Sequence, residues 1–181
     1  MAFEVKFDLS DSDLEYFRGV MKSVQAKVSG INENLILENA QKLSRDVKGG
    51  VPEFVLSRLQ KLETLVAMVH DKEWAIPAEE RADVINALAY FSDPEDLVPD
   101  AIPALGFLDD AIMIELVVQE LADDIEAFTD FCKYRERELA RASGEVITQE
   151  DWLEAKRREL HSRMRNRRRD RSGRSSFRSI F

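Results

Sequence analysis

The 181-residue chain is 44% hydrophobic and carries 26 Lys/Arg against 35 Asp/Glu, a net charge of −9. That is one domain's length of chain, with enough apolar residues to build a core. One cysteine, Cys132, excludes an internal disulfide and fits a reducing compartment, and two histidines 91 positions apart, His70 and His161, leave no zinc site of familiar spacing.

The opening stretch, MAFEVKFDLS, lacks the basic start and apolar run of a secretory signal. Its alternation of Phe3, Val5, Phe7 and Leu9 with Glu4, Lys6 and Asp8 predicts a short strand or an extended arm. Ser10 with Asp13 has capping-box spacing and starts a first helix, with Phe17, Val20, Val24 and Val28 on one side and Gly30 as its stop. A second helix carries Ile36, Ala40, Leu43 and Val47 and ends at Gly49-Gly50. Pro52 opens a third, in which Val55, Leu59, Leu62, Val66 and Val69 step by 4, 3, 4 and 3 and form a core stripe. His70, at its end, reads as a cation partner for the helix dipole. Pro77 opens a fourth with an acidic first turn and the stripe Val84, Leu88 and Phe91.

The next segment, DPEDLVPDAIPALGFLDD (93–110), packs three prolines, five aspartates and a glycine between two apolar helical stretches. Each proline disfavours helix in the residue before it and suits the first turn of the piece that follows. Asp93, Asp96, Asp100, Asp109 and Asp110 then read as caps and first-turn acids, with Asp109 capping the next helix. Gly106 supplies a left-handed turn residue. The longer run YFSDPEDLVPDAIPALGFLDD (90–110) resembles the core motif of the YkvA family, a bacterial domain family of unknown function. The resemblance spans roughly 84–123 and rests on Asp93-Pro94, Asp96-Leu97, Pro99-Asp100, Pro103, Gly106 and Asp109-Asp110. It implies no activity and no cofactor. Glu95 stands where many members are apolar, which argues against insertion into a bilayer as a hairpin. A divalent cation held by Asp96, Asp100, Asp109 and Asp110 is the competing reading, but the spacing matches no calcium loop.

No catalytic residue is assigned. The chain has no Gly-rich phosphate loop, nucleophile elbow or paired-histidine motif. Ser57 and Ser92 have no identifiable base, and Cys132 reads as a small buried hydrophobe. The apolar stretch at 101–118 is cut by Asp109, Asp110 and Glu115, so no transmembrane segment is expected. A cytoplasmic protein, or one peripheral to the inner membrane, is the expectation.

One long helix is predicted beyond the motif, with Ile114, Val117, Leu121, Ile125, Phe128 and Cys132 on one face. Its end, KYRERELARA, is polar all round and is expected to project into solvent. Thr148 with Asp151 then has capping-box spacing for a last helix, with Leu153, Leu160 and Met164 as an incomplete stripe. From Lys156 onward there are ten arginines and one lysine against two acids, a charge of +9. Residues 1–155 carry −18.

The fold expected is an all-α helical bundle, with a Pro/Asp-rich helix–turn–helix corner, an acidic body over 1–145 and a basic C-terminal arm over 146–181. Arg157, Arg158, Arg163, Arg165, Arg167, Arg168, Arg169, Arg171, Arg174 and Arg178 are the candidate polyanion contacts, because a guanidinium offers a planar fork to phosphate oxygens. RNA, the ribosome or another nucleic acid is the leading partner for a non-enzymatic binding or regulatory protein. An anionic membrane surface is the alternative, and a metal-dependent activity at the aspartates comes third. Two further fates for the tail are docking of its terminal SIF in a protein groove and folding back onto the acidic body.

Overall fold

The computed structural model describes residues 8–28, 30, 32–46, 52–92, 107–141 and 149–178. Among them are seven α-helices and no strand: α1 (Asp11–Val28), α2 (Glu33–Asp46), α3 (Glu53–His70), α4 (Ala78–Leu88), α5 (Leu108–Glu120), α6 (Ala122–Arg141) and α7 (Gln149–Arg178). A 3₁₀ turn, Ala89–Ser92, follows α4. The fold is therefore all-α, as the helical periodicity requires. The expected strand or arm at residues 3–9 lies almost wholly outside the described residues, as does the capping pair at Thr148.

Helix starts follow the local chemistry. The Ser10 N–H donates to Asp13 Oδ2 at 2.8 Å and the Asp13 N–H donates to Ser10 Oγ at 3.4 Å, closing the capping box before α1. Pro52 and Pro77 sit at the N-caps of α3 and α4 in extended geometry, ψ 147° and 156°. Gly30 follows α1 at φ +114°, a conformation that glycine reaches without steric cost.

Helix α3 is the central element. Val55, Leu59, Leu62, Leu65, Val66, Met68 and Val69 are all buried, and α2, α4, α5 and α6 pack around it. Its predicted stripe is thus the core of the molecule, widened by Leu65 and Met68. At its end Asp71 turns the chain: the Asp71 Oδ1 accepts from the N–H groups of Glu73 and Trp74, both at 2.9 Å. That turn drives Trp74 into the interior, where it is 0% exposed.

Two expectations for the second half are corrected. The single long helix is two, α5 and α6, divided at Leu121 with φ −97° and ψ 19°. Leu121 is buried, its N–H still reaches Val117 O at 2.9 Å, and Ile125 N–H reaches Leu121 O at 3.0 Å. The bend costs few hydrogen bonds and begins a new first turn at the acids Asp123 and Asp124, which favour a helix N-terminus. Second, Asp109 does not cap α5. Phe107 holds that place at φ 66°, and Asp109 lies inside the first turn, 3% exposed.

Candidate polyanion interface

Helix α7 runs back along α6 instead of standing away from the body. Arg163 pairs with Asp130 at 2.5 Å, and Arg167 pairs with Glu126 at 2.6 Å and Asp123 at 3.7 Å. As the α7 number rises by four, its partner's number on α6 falls by four, so the two helices are antiparallel. Leu153, Leu160 and Met164 are buried in the common core, which completes the sequence stripe with a facing surface. Toward the end of α6 only the side chains nearest the seam are covered, and Glu136, Arg137, Leu139, Ala140 and Arg141 are exposed. Arg135 lies 2.8 Å from Asp71 and 2.7 Å from Glu73, and Lys156 stands over the Tyr134 ring. That start of the KYRERELARA stretch belongs to the packed seam and does not project into solvent.

Beneath the seam is an aromatic cluster. Trp74 meets Phe128, Phe131 and His161 at ring-centroid distances of 5.7, 5.3 and 4.3 Å. His161 is 8% exposed, and burial beside Arg157 and Arg165 lowers its pKa to about 4, so the ring is neutral at ordinary pH. Further along α7, Arg168 reaches Asp83 at 2.6 Å and Asp124 at 3.0 Å. Asp124 is 0% exposed, and burial raises its pKa to about 6 against the opposing pull of Arg168. Buried Glu80, on α4, adds to that rise.

The ten candidate arginines therefore divide by what they touch. Arg163, Arg167 and Arg168 hold α7 to body carboxylates, and Arg157 donates to the Glu73 carbonyl at 2.9 Å. Arg158, Arg165 and Arg169 are exposed on the opposite side of α7. Their spacings of 7 and 4 place them within about 40° of one another around the helix and along ~16 Å of its length. Among the described residues Arg158 pairs with Glu154, one turn earlier on the same helix. Arg165 has no hydrogen bond or ion pair among the described residues. Arg171, Arg174 and Arg178 continue the helix, and their side chains lie outside the described set.

Most of the Pro/Asp motif falls outside the described residues. Asp93, Pro94, Asp96, Pro99, Asp100, Pro103 and Gly106 lie outside the described residues. Asp110 is partly buried beside Asp109 at the start of α5. Of the four metal candidates, Asp109 and Asp110 alone are described, and no group of three or more His, Cys, Asp or Glu placed to hold a metal occurs among the described residues. Cys132 is partly buried with its thiol pKa raised by desolvation, in keeping with an inert packing role. His70 lies exposed at the end of α3.

Sequence reading passed over Trp74, Glu80, Asp83, Asp123 and Asp124. A usable signal was present: acids at 123, 126 and 130 and arginines at 163 and 167 share helical spacing and fit an antiparallel pair.

Comparison with known proteins locates one familiar segment. Residues 82–116 match the family described as Protein of unknown function (DUF1232). The match takes in most of α4, the 3₁₀ turn, the Pro/Asp motif and the first turns of α5, about a fifth of the chain. No curated protein and no solved structure matches. No helix among the described residues is long and apolar enough to cross a membrane.

Proposed function

We propose that the protein is a non-enzymatic binding protein that contacts RNA, or a ribonucleoprotein, through the outward face of α7. The observation that supports this reading is the sorting of the arginines: Arg163, Arg167 and Arg168 pair with carboxylates of the body, whereas Arg158, Arg165 and Arg169 are exposed along the outward side of α7, where Arg158 pairs with Glu154 and Arg169 donates to Asn166 Oδ1 at 2.9 Å. A docked helix presents those guanidinium groups on a rigid support, which lowers the ordering cost of binding relative to a loose tail. The acidic body repels a polyanion everywhere else and concentrates contact on this stripe. We assign the Pro/Asp segment to the YkvA type on its order of Asp, Pro and Gly residues.

The test is binding of a labelled single-stranded RNA across a salt series. Each phosphate neutralised contributes about −0.7 to the log–log salt slope on single strands. Replacing Arg158, Arg165 and Arg169 together with glutamine is expected to weaken binding by at least tenfold and to flatten the slope by about 2. Unchanged affinity in that variant contradicts the reading. Capture by anionic vesicles with no affinity for RNA replaces it with the membrane alternative.

A further inference from the structure

On α5, Leu108, Ala111, Ile112, Glu115, Leu116 and Gln119 recur every three or four residues and share one face of the helix. With Leu14 of α1 and with Phe54 and Arg58 of α3 they line a groove of about 210 Å³. Ala111 and Leu116 are buried there, Leu14, Leu108 and Ile112 are partly buried, and Phe54 is exposed. Arg58 ties α3 to α5 across it, 3.1 Å from Glu115. Five of the six α5 positions fall within the matched residues 82–116, so the helix that closes the matched segment carries an apolar face that α1 and α3 cover only in part. Leu9 also lines the groove, while its neighbour Asp8 is exposed.

We propose that this groove is the docking site of the chain's own N-terminal segment, residues 1–7, which lie outside the described residues. Three observations point to that occupant. First, the segment joins the body at Leu9, which is already in the groove. Second, Phe3, Val5 and Phe7 precede Leu9 at intervals of two, alternating with Glu4, Lys6 and Asp8. In an extended chain residues at that interval share a side, so the apolar set continues from Leu9 and the charged set continues from exposed Asp8. Third, the lengths agree: seven extended residues span ~23 Å, and the α5 face from Leu108 to Gln119 is ~16 Å long. A volume of 210 Å³ is below the roughly 300–1,000 Å³ of small-molecule sites and suits a row of side chains. Tethering also favours the chain's own segment over a second copy, since a short link presents it at an effective concentration in the ~mM range. The docked segment straps α1 and α3 to α5, and its release uncovers an apolar face on the matched segment.

The experiment is cross-linking in the full chain. In a Cys132→Ser background, Phe7→Cys is combined in turn with Leu108→Cys, Ile112→Cys and Gln119→Cys under mild oxidation. An intramolecular disulfide is expected in at least one pair, because the bond forms only where the two backbones come close. Lys6→Cys, from the charged set, is expected to react far more slowly with the same partners. A second measurement uses Phe3→Ser, Val5→Ser and Phe7→Ser together. That variant is expected to raise the fluorescence of the apolar dye 8-anilinonaphthalene-1-sulfonate at least ~2-fold and to lower Tm by about 5 °C, while Glu4→Gln with Lys6→Gln changes neither. A disulfide-linked dimer in place of the intramolecular bond assigns the groove to the arm of a second copy and overturns the strap. Absence of any disulfide, or a serine variant that matches the wild type in both dye binding and melting, overturns it as well.

Discussion

Two buried ionisable groups under α7 respond to pH in opposite senses. Asp124 has its pKa raised to about 6, so the fold favours its neutral form. Its contribution to stability is therefore fully present below the carboxylate's ordinary value of 3.8 and is lost as pH rises to about 6. His161 has its pKa lowered from 6.5 to about 4, again favouring the neutral form. Its contribution is present above pH 6.5 and is lost as pH falls toward 4. Each effect is worth roughly 3 kcal/mol at full extent. The two nearly cancel between pH 4 and 6.5, and single variants uncover them. Asp124→Asn is expected to lose stability relative to the wild type on acidification through that window, and His161→Asn on alkalinisation. Urea unfolding at a series of pH values measures both, and parallel curves for wild type and variants would contradict the assignment. Neither group stood out in the sequence. A histidine among arginines and an aspartate in an acidic run look solvated until a second helix is laid over them.

At the scale of the element, α7 is part of the fold and not an attachment to it. Leu160 is 0% exposed and Met164 is 1% exposed, in the cluster that also holds Trp74 and Phe131. Leu160→Ala is expected to cost about 2–5 kcal/mol, the range for a buried leucine whose site collapses only in part. A chain ending at Ala155 loses Leu160, His161 and Met164 together. It is expected to show a red-shifted Trp74 emission and a broadened thermal transition, and an unchanged melt would show that the body folds without the helix. Removing the cap at the other end is milder: Ser10→Ala is expected to cost about 1 kcal/mol, read as a small drop in Tm. Most element types and several ends were legible in sequence, because caps, helix-start prolines and the stripe of α3 are local signals. The division at Leu121 was not legible. Apolar residues at 114, 117, 121, 125 and 128 keep helical spacing across the break, and Leu121, where the backbone leaves helical geometry, is itself buried in the core.

For the whole molecule, the separation of charge into −18 and +9 portions is the largest fact in the sequence and has two consequences in the structure. Part of the positive charge is consumed internally, where Arg163, Arg167 and Arg168 meet Asp130, Glu126 and Asp124. The more exposed pairs, Arg163–Asp130 and Arg167–Glu126, contribute little singly, so burial of Leu153, Leu160 and Met164 does most of the fastening. Arg158, Arg165 and Arg169 are exposed along the other side of α7. Composition shows how many arginines there are. It does not show which of them face the body, since that depends on the register of α7 against α6.

The account turns on that division of labour among the arginines, and one comparison tests it directly. Affinity for single-stranded RNA would be measured against salt for the wild type, for the outward set changed together (Arg158, Arg165 and Arg169 to Gln) and for Arg163→Gln with Arg167→Gln. The outward variant is expected to lose at least tenfold in affinity with an unchanged melting temperature. The inward variant is expected to keep its affinity and to melt at a lower temperature. The reverse pattern, with RNA binding carried by Arg163 and Arg167 and stability by the outward three, would contradict the account.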